Sequence, residues 1–363
     1  MIKSIYTGYC SVIFLYGDVK MKKEKQIRIG MINWDACLPK DTYFGHYTLN
    51  TLANDTYKTR LPYFTLKKDG EYDFSYRTQE EYDVELQYAI DAGVDFFAYC
   101  WYPDTLGERK FWKDLGSTLL WEHYPELNLG RKLYQTSKLN KKIKMCAVLF
   151  TGRAYSISDI EDLIDAMKQD YYEKIDGRPV VCTFGGFEEG FIDELKMHTK
   201  KQGIDPYVVF FNTSATFHEG LDYKKADAIS AYASCRVGET FDDVIDGTEV
   251  ANYKRLESGL KEIPLLSIGW NPMPRVEKPS PWVNYAPGPY ASQPTEEELE
   301  KSFEKLSEFI DKNPDKVVEG YAMVYAWNEF EEGGYLCPTL ADDGSADTKF
   351  IDSFKKVRAK YKR

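Results

Sequence analysis

The chain is poor in the residues that metal and redox centres need. Its four histidines, His46, His123, His198 and His218, are scattered, and it has neither a Cys-x-x-Cys nor a His-Glu-x-x-His pair. No metal site is expected from such a pattern, and no cofactor. Seven cysteines, Cys10, Cys37, Cys100, Cys146, Cys182, Cys235 and Cys337, are odd in number and widely spaced, which excludes a closed disulfide framework. Four of these, Cys100, Cys146, Cys182 and Cys235, fall in or at the end of predicted strands, where a thiol packs as a small hydrophobe. No Gly-rich phosphate loop follows the first predicted strand, which argues against dinucleotide binding. No Asp-x-Asp closes a predicted strand, so the metal site of a nucleotide-sugar enzyme is missing too. Positive charge is in deficit: the formal net charge is −11, which argues against nucleic acid or an anionic membrane as partner. Lys355 to Arg363 is locally basic and reads as a solvated helix end. The apolar run Cys10 to Tyr16 is too short to span a bilayer, and Gly17-Asp18 is a poor cleavage site. The expected location is cytoplasmic, with secretion or a periplasmic location left open.

Aromatics, by contrast, are plentiful, at 15% of 363 residues with 28 Tyr and 7 Trp. Such rings stack on the C–H faces of sugars, and they equally fill ordinary cores. Apolar runs recur along the chain: Ile27 to Trp34, Val94 to Tyr102, Lys144 to Phe150, Pro179 to Phe184, Tyr207 to Phe211, Ala226 to Tyr232, Pro264 to Trp270 and Val317 to Trp327. Continuous rather than alternating apolar runs mark strands buried on both faces. Helical patterns lie between several of them. Thr78 and Glu81 form a capping box ahead of Tyr82, Leu86, Ala89 and Ile90, and Gly93 closes that helix. Ser158 with Glu161 is expected to cap a helix carrying Ile160, Leu163, Ile164 and Met167, and Thr295 with Glu298 another. Eight strands alternating with helices predict an α/β fold, a single (β/α)8 TIM-type barrel with long βα loops at its C-terminal rim. The barrel is expected to occupy residues 27–363, with residues 1–26 an extension or a mis-assigned start ahead of Met21. Residues 35–77 read as a long polar loop. Two insertions stand out: Asp104 to Lys142, with Trp112, Trp121 and Tyr124, and Asn271 to Pro294, which holds seven of the sixteen prolines together with Trp282, Tyr285 and Tyr290.

The last apolar run stops at an acidic cluster, Asn328-Glu329-Phe330-Glu331-Glu332, followed by Gly333-Gly334 and Pro338. Carboxylates at the C-terminal end of a barrel strand are where such enzymes keep their chemistry. Asn328, Glu329, Glu332, Gly333 and Pro338 resemble the signature of glycoside hydrolase family 99 and the WbsX-like proteins, and Tyr335-Leu336 resembles the WbsX-like branch. Phe330 stands where the family usually has Trp, and Cys337 where a further Glu is common. The resemblance extends diffusely from Ile27 to the C-terminus. It implies a retaining, endo-acting α-mannosidase-like hydrolase of oligosaccharide or polysaccharide. In that scheme Glu332 is the acid that becomes the base, and Glu329 deprotonates the sugar's own 2-hydroxyl. Asn328 holds Glu329 or a substrate hydroxyl.

Trp34, Trp101, Tyr102, Tyr232 and Trp270 each end a predicted strand, so they and Tyr335 are the candidates for stacking on sugar. Asp35, Asp104, Glu188, Glu189 and Arg275 are further strand-end polar groups that are alternatives to either partner. Glu331 is read as tolerant of substitution. Two other function classes stay open: a glycan-binding or polysaccharide-assembly protein without catalysis, and a glycosyltransferase of the WbsX type. The sequence does not define the oligomeric state.

Overall fold

The computed structural model describes residues 26–104, 125–151, 155–185, 190–212, 222–234 and 237–361. Eight parallel strands run through them: β1 (Arg28–Asn33), β2 (Phe96–Trp101), β3 (Lys144–Phe150), β4 (Arg178–Phe184), β5 (Tyr207–Phe211), β6 (Ala228–Ser230), β7 (Lys261–Glu262 with Leu265–Ser267) and β8 (Tyr321–Tyr325). Each pairs with the next, and β8 returns to β1 through Arg28↔Tyr321 to Met31↔Val324. The two pieces of β7 complete the circle. Lys261–Glu262 pairs with β6, and Leu265–Ser267 pairs with β8, across a break at Pro264, which has no N–H to give to a ladder. The sheet therefore closes on itself, and the chain is the (β/α)8 barrel that the apolar runs predict.

Helices follow the strands as the pattern requires. The box at Thr78 and Glu81 opens the helix Gln79–Ala92, and Gly93 ends it in the left-handed conformation. The helix Glu296–Lys312 is capped by Thr295 and Glu298, with Leu299, Phe303, Leu306, Phe309 and Ile310 buried. The helix Ile157–Met167 starts two residues earlier than expected. Its box is Ser156 with Asp159, because Tyr155 is drawn into the core, its hydroxyl donating to the Trp101 carbonyl at 2.6 Å. Residues 35–77 are no simple loop. Thr42 caps a helix, Tyr43–Leu52, and a hairpin pairs Thr65–Lys68 with Glu71–Phe74. Its tip is Asp69-Gly70, with φ of 53° and 85°, the geometry that Asp-Gly turns favour.

At the N-terminal end, Arg28 donates twice to Glu173, at 3.1 and 2.6 Å, and Tyr321 donates to the same carboxylate at 2.9 Å. A second buried network fastens the last turn. Trp327 donates from Nε1 to Glu85 at 2.9 Å, and Arg77 bonds Glu85 at 2.6 Å and also Asp35. No helix among the described residues is long and apolar enough to cross a membrane. Residues 1–25, Trp112, Trp121, Tyr124, Glu188, Glu189 and Cys235 lie outside the described residues. The five described cysteines beyond them, Cys37, Cys100, Cys146, Cys182 and Cys337, are buried free thiols.

Candidate active site

The acidic cluster sits where β8 leaves the barrel. Asn328–Glu329 pairs antiparallel with Gly334–Tyr335, and Phe330–Glu332 forms one tight helical turn between them. Gly333 ends that turn at φ 75°, and a side chain on Gly334 would collide with the Tyr325 ring, about 2.2 Å from where its Cβ would lie. The glycine pair thus lets the turn fold back over the strand it came from. All three glutamates are buried.

Their partners come from distant parts of the chain. Glu331 accepts from the Thr48 and Thr51 hydroxyls of the helix Tyr43–Leu52, at 3.1 and 2.8 Å, and from Arg275 at 2.9 Å. Glu332 accepts from Arg275, from Tyr325 and, at 2.7 Å, from Tyr285. Glu329 accepts from Tyr232 at 2.5 Å, its other oxygen lies 4.0 Å from Arg275, and that oxygen is buried with no hydrogen-bond partner among the described residues. Burial first, and the negative charge of Glu332 next, push the Glu329 carboxyl well above the usual carboxylate range. Among the described residues one cation, Arg275, faces three carboxyls, with its guanidinium 5.1 Å from the Trp34 ring and 5.9 Å from that of Trp282.

Around this cluster runs a chain of aromatic rings at the C-terminal mouth. Centroid distances link Tyr102 to Phe150 (5.0 Å), Phe150 to Phe184 (5.5 Å), Phe184 to Tyr232 (5.0 Å) and Tyr232 to Tyr325 (5.9 Å). It continues from Tyr325 to Trp270 (5.7 Å) and on to Tyr285 (5.5 Å). Phe150, Phe184 and Tyr232 are half-buried.

Of the residues proposed from sequence, Glu329, Glu332, Tyr102, Tyr232 and Trp270 lie at this cluster or ring chain. Trp34 lies beneath Arg275. Trp101 is 1% exposed, and the Arg131 guanidinium covers its ring at 3.7 Å. Tyr102 stacks on Phe150, its backbone held at N and O by Asn128. Asn328 spends its amide on the chain itself. It accepts from the Trp34 N–H at 2.8 Å and donates to Asn33 at 3.1 Å, which ties the turn to the end of β1. Tyr335 packs on Phe330 at 5.0 Å. Asp35 belongs to the Arg77–Glu85 network, and Asp104 pairs with Lys132 at 2.5 Å. Glu331, read as tolerant, is buried and gripped by three donors. Tyr325, Tyr285, Thr48 and Thr51 were missed as site residues. Tyr325 had a weak signal: Tyr321, Met323 and Tyr325 share one face of β8, but a strand buried on both sides does not announce which face is inward. Among the described residues no cluster of His, Cys, Asp and Glu is arranged to hold a metal ion.

Neither a family model nor a curated protein matches the chain. Solved structures do. An endo-α-mannosidase of glycoside hydrolase family 99 from Bacteroides thetaiotaomicron aligns over 92% of this chain and 99% of its own, at 12% identity and a TM-score of 0.48. This chain is similar in structure to that enzyme. A family 5 mannosidase from Rhizomucor miehei aligns over 92% and 93% at 10% identity (TM-score 0.43). A family 113 β-mannanase from Alicyclobacillus acidocaldarius aligns over 78% and 92% at 12% identity (TM-score 0.38).

Proposed function

We propose that the chain is a retaining glycoside hydrolase that cleaves within a mannose-type glycan, using Glu329 and Glu332. The observation that carries this reading is the pair itself. Two carboxyls rise from one turn at the C-terminal mouth of a barrel, held by tyrosine hydroxyls and flanked by a row of aromatic rings. Glycoside cleavage needs one group to protonate the leaving oxygen and another to act at the anomeric side.

The sequence resemblance supplies the division of labour. Glu329 takes the proton of the sugar 2-hydroxyl while that oxygen attacks the anomeric carbon. The glycosidic C–O bond breaks, and Glu332 gives its proton to the leaving oxygen. Water then opens the 1,2-anhydro ring, Glu332 taking a proton from the water and Glu329 returning its own to the 2-oxygen, with net retention. A carboxyl raised by burial and by a neighbouring charge is a stronger base once ionised, which suits removal of a hydroxyl proton. In the resting arrangement, however, Glu329 favours its protonated form, while Glu332 faces three donors. The roles above require the proton to lie on Glu332 and not on Glu329 when glycan is bound. Tyr285 and Tyr325 can turn their hydroxyl protons to allow it.

The test is release of new reducing ends from a panel of α-mannose-containing and other glycans. Wild type should release them, and Glu329→Gln and Glu332→Gln should not. Binding of glycan without turnover by wild type would make the chain a binding protein instead.

A further inference from the structure

Arg275 is not part of the chemistry just described, yet among the described residues it is the cation facing all three glutamates. It leaves the barrel on the short helix Met273–Glu277, after Pro272. Its reach is unequal. It bonds Glu331 and Glu332 directly, whereas Glu329 stands 4.0 Å away and gives its near oxygen to nothing described. Glu331 is further pinned by two threonine hydroxyls, so it is fixed as the counter-ion of the guanidinium. We propose that Arg275 is a positioning residue that assigns the proton of this acidic cluster: by gripping Glu331 and Glu332 and standing off from Glu329, it leaves the proton on Glu329.

The physical reason is the cost of buried charge. Three ionised carboxylates beside one guanidinium would leave two uncompensated negative charges on buried side chains. Protonating one carboxyl halves that excess. The favoured place for the proton is the carboxyl with the weakest hold on the cation and the fewest donors, and that is Glu329. Among the described residues, the other titratable groups facing the cluster do not offer a second cation. They are Tyr325 of β8, Tyr285 of the proline-rich loop, Tyr232 after β6, Cys100 of β2 behind Tyr232, and Cys37 after β1 beside Glu331. Burial pushes Tyr325, Tyr232, Cys100 and Cys37 upward, so they stay neutral around pH 7.

This inference rests on Glu329 and Glu332 being the working pair, but its test reads protons rather than turnover. Glutamate labelled with ¹³C at Cδ allows each carboxyl to be titrated by NMR in the intact protein, with assignments from the single Gln variants. In wild type, Glu329 should be the last of the three to lose its proton. Arg275→Gln should move the Glu329 titration upward by about one pH unit or more, the usual effect of removing an opposite charge at this range. Glu331→Gln should move it downward, because the guanidinium is then free for the remaining pair. A purely structural role for Arg275 would leave these midpoints in place. If Glu329 ionises before Glu332 in wild type, the proposal is overturned, and that measurement needs no variant of Arg275 to fold. If the midpoints behave as stated but no glycan is cleaved, the functional reading fails and the proton assignment stands. Where turnover is seen, the bell-shaped pH profile of kcat/KM should shift upward in Arg275→Gln and stay near the wild-type position in Arg275→Lys, which keeps the charge.

Discussion

At the scale of single residues, three neighbouring glutamates have three environments, and the environments set what each substitution does. Glu329→Gln and Glu332→Gln remove proton-transfer groups and should each cost on the order of 10²–10⁴-fold in kcat/KM with little loss of stability. Activated substrates separate the two roles. A glycoside with a good leaving group needs little protonation, so it should restore the bond-cleavage step to the variant that has lost the acid. Restoration in Glu332→Gln fits the assignment above, and restoration in Glu329→Gln would exchange the roles. Glu331→Gln behaves differently. Arg275 keeps Glu332, but Glu331 also satisfies the buried Thr48 and Thr51 hydroxyls, and each buried polar group left unsatisfied costs about 1–3 kcal/mol. The denaturation midpoint of this variant should fall well below those of the other two, and a midpoint equal to wild type would mean that Glu331 is not the anchor the hydrogen bonds make it.

Elements decide how much of this could be read in advance. The eight strands were legible because a strand covered on both faces is apolar throughout, and helices with capping boxes and i, i+4 stripes fell between them. The acidic turn was legible too, because polar residues interrupt an apolar run and two glycines follow. What surrounds it was not. Arg275 meets Glu332 across 57 residues of sequence, and Thr51 meets Glu331 across 280; neither spacing has a period that a local pattern reveals. Ring location was equally hidden, since Trp101 and Trp270 end predicted strands in the same way yet face different neighbours. Trp101 lies under Arg131 at 1% exposure, while Trp270 lies between Tyr325 and Tyr285. Trp101→Ala should therefore lower stability by the ~3–5 kcal/mol of a truncated core aromatic. Phe150→Ala and Phe184→Ala, at half-buried ends of β3 and β4, should weaken glycan binding measured by calorimetry more than they lower the melting temperature. The reverse order for these two would make the ring row core packing alone.

For the whole molecule, buried carboxyls give stability a particular pH dependence. Glu262 on β7 is fully buried; Arg255 donates to one of its oxygens at 2.9 Å, and the other has no partner among the described residues. Burial outweighs the attraction of Arg255 and pushes the carboxyl up to about 7 from an ordinary 4.5. Glu85 and Glu329 are shifted in the same direction, also by burial first. The sign follows from linkage. A group whose folded-state pKa lies above its unfolded value keeps its proton longer when folded, so folding is favoured while the group is protonated and loses that advantage as pH rises. For Glu262 the loss begins near pH 4.5 and is complete just above 7, and a gap of that size corresponds to about 3 kcal/mol. Asp227, held below the usual range by Arg178 against the pull of burial, works the other way, but its contribution fades only as pH falls through the acid range. The urea midpoint should thus be higher near pH 5 than near pH 8. Glu262→Gln cannot ionise; it should lower stability overall through the lost pair with Arg255, yet flatten the slope across this window. A midpoint that rises steadily from pH 5 to 8, or a slope unchanged in Glu262→Gln, would show that these carboxyls do not control the stability of the barrel.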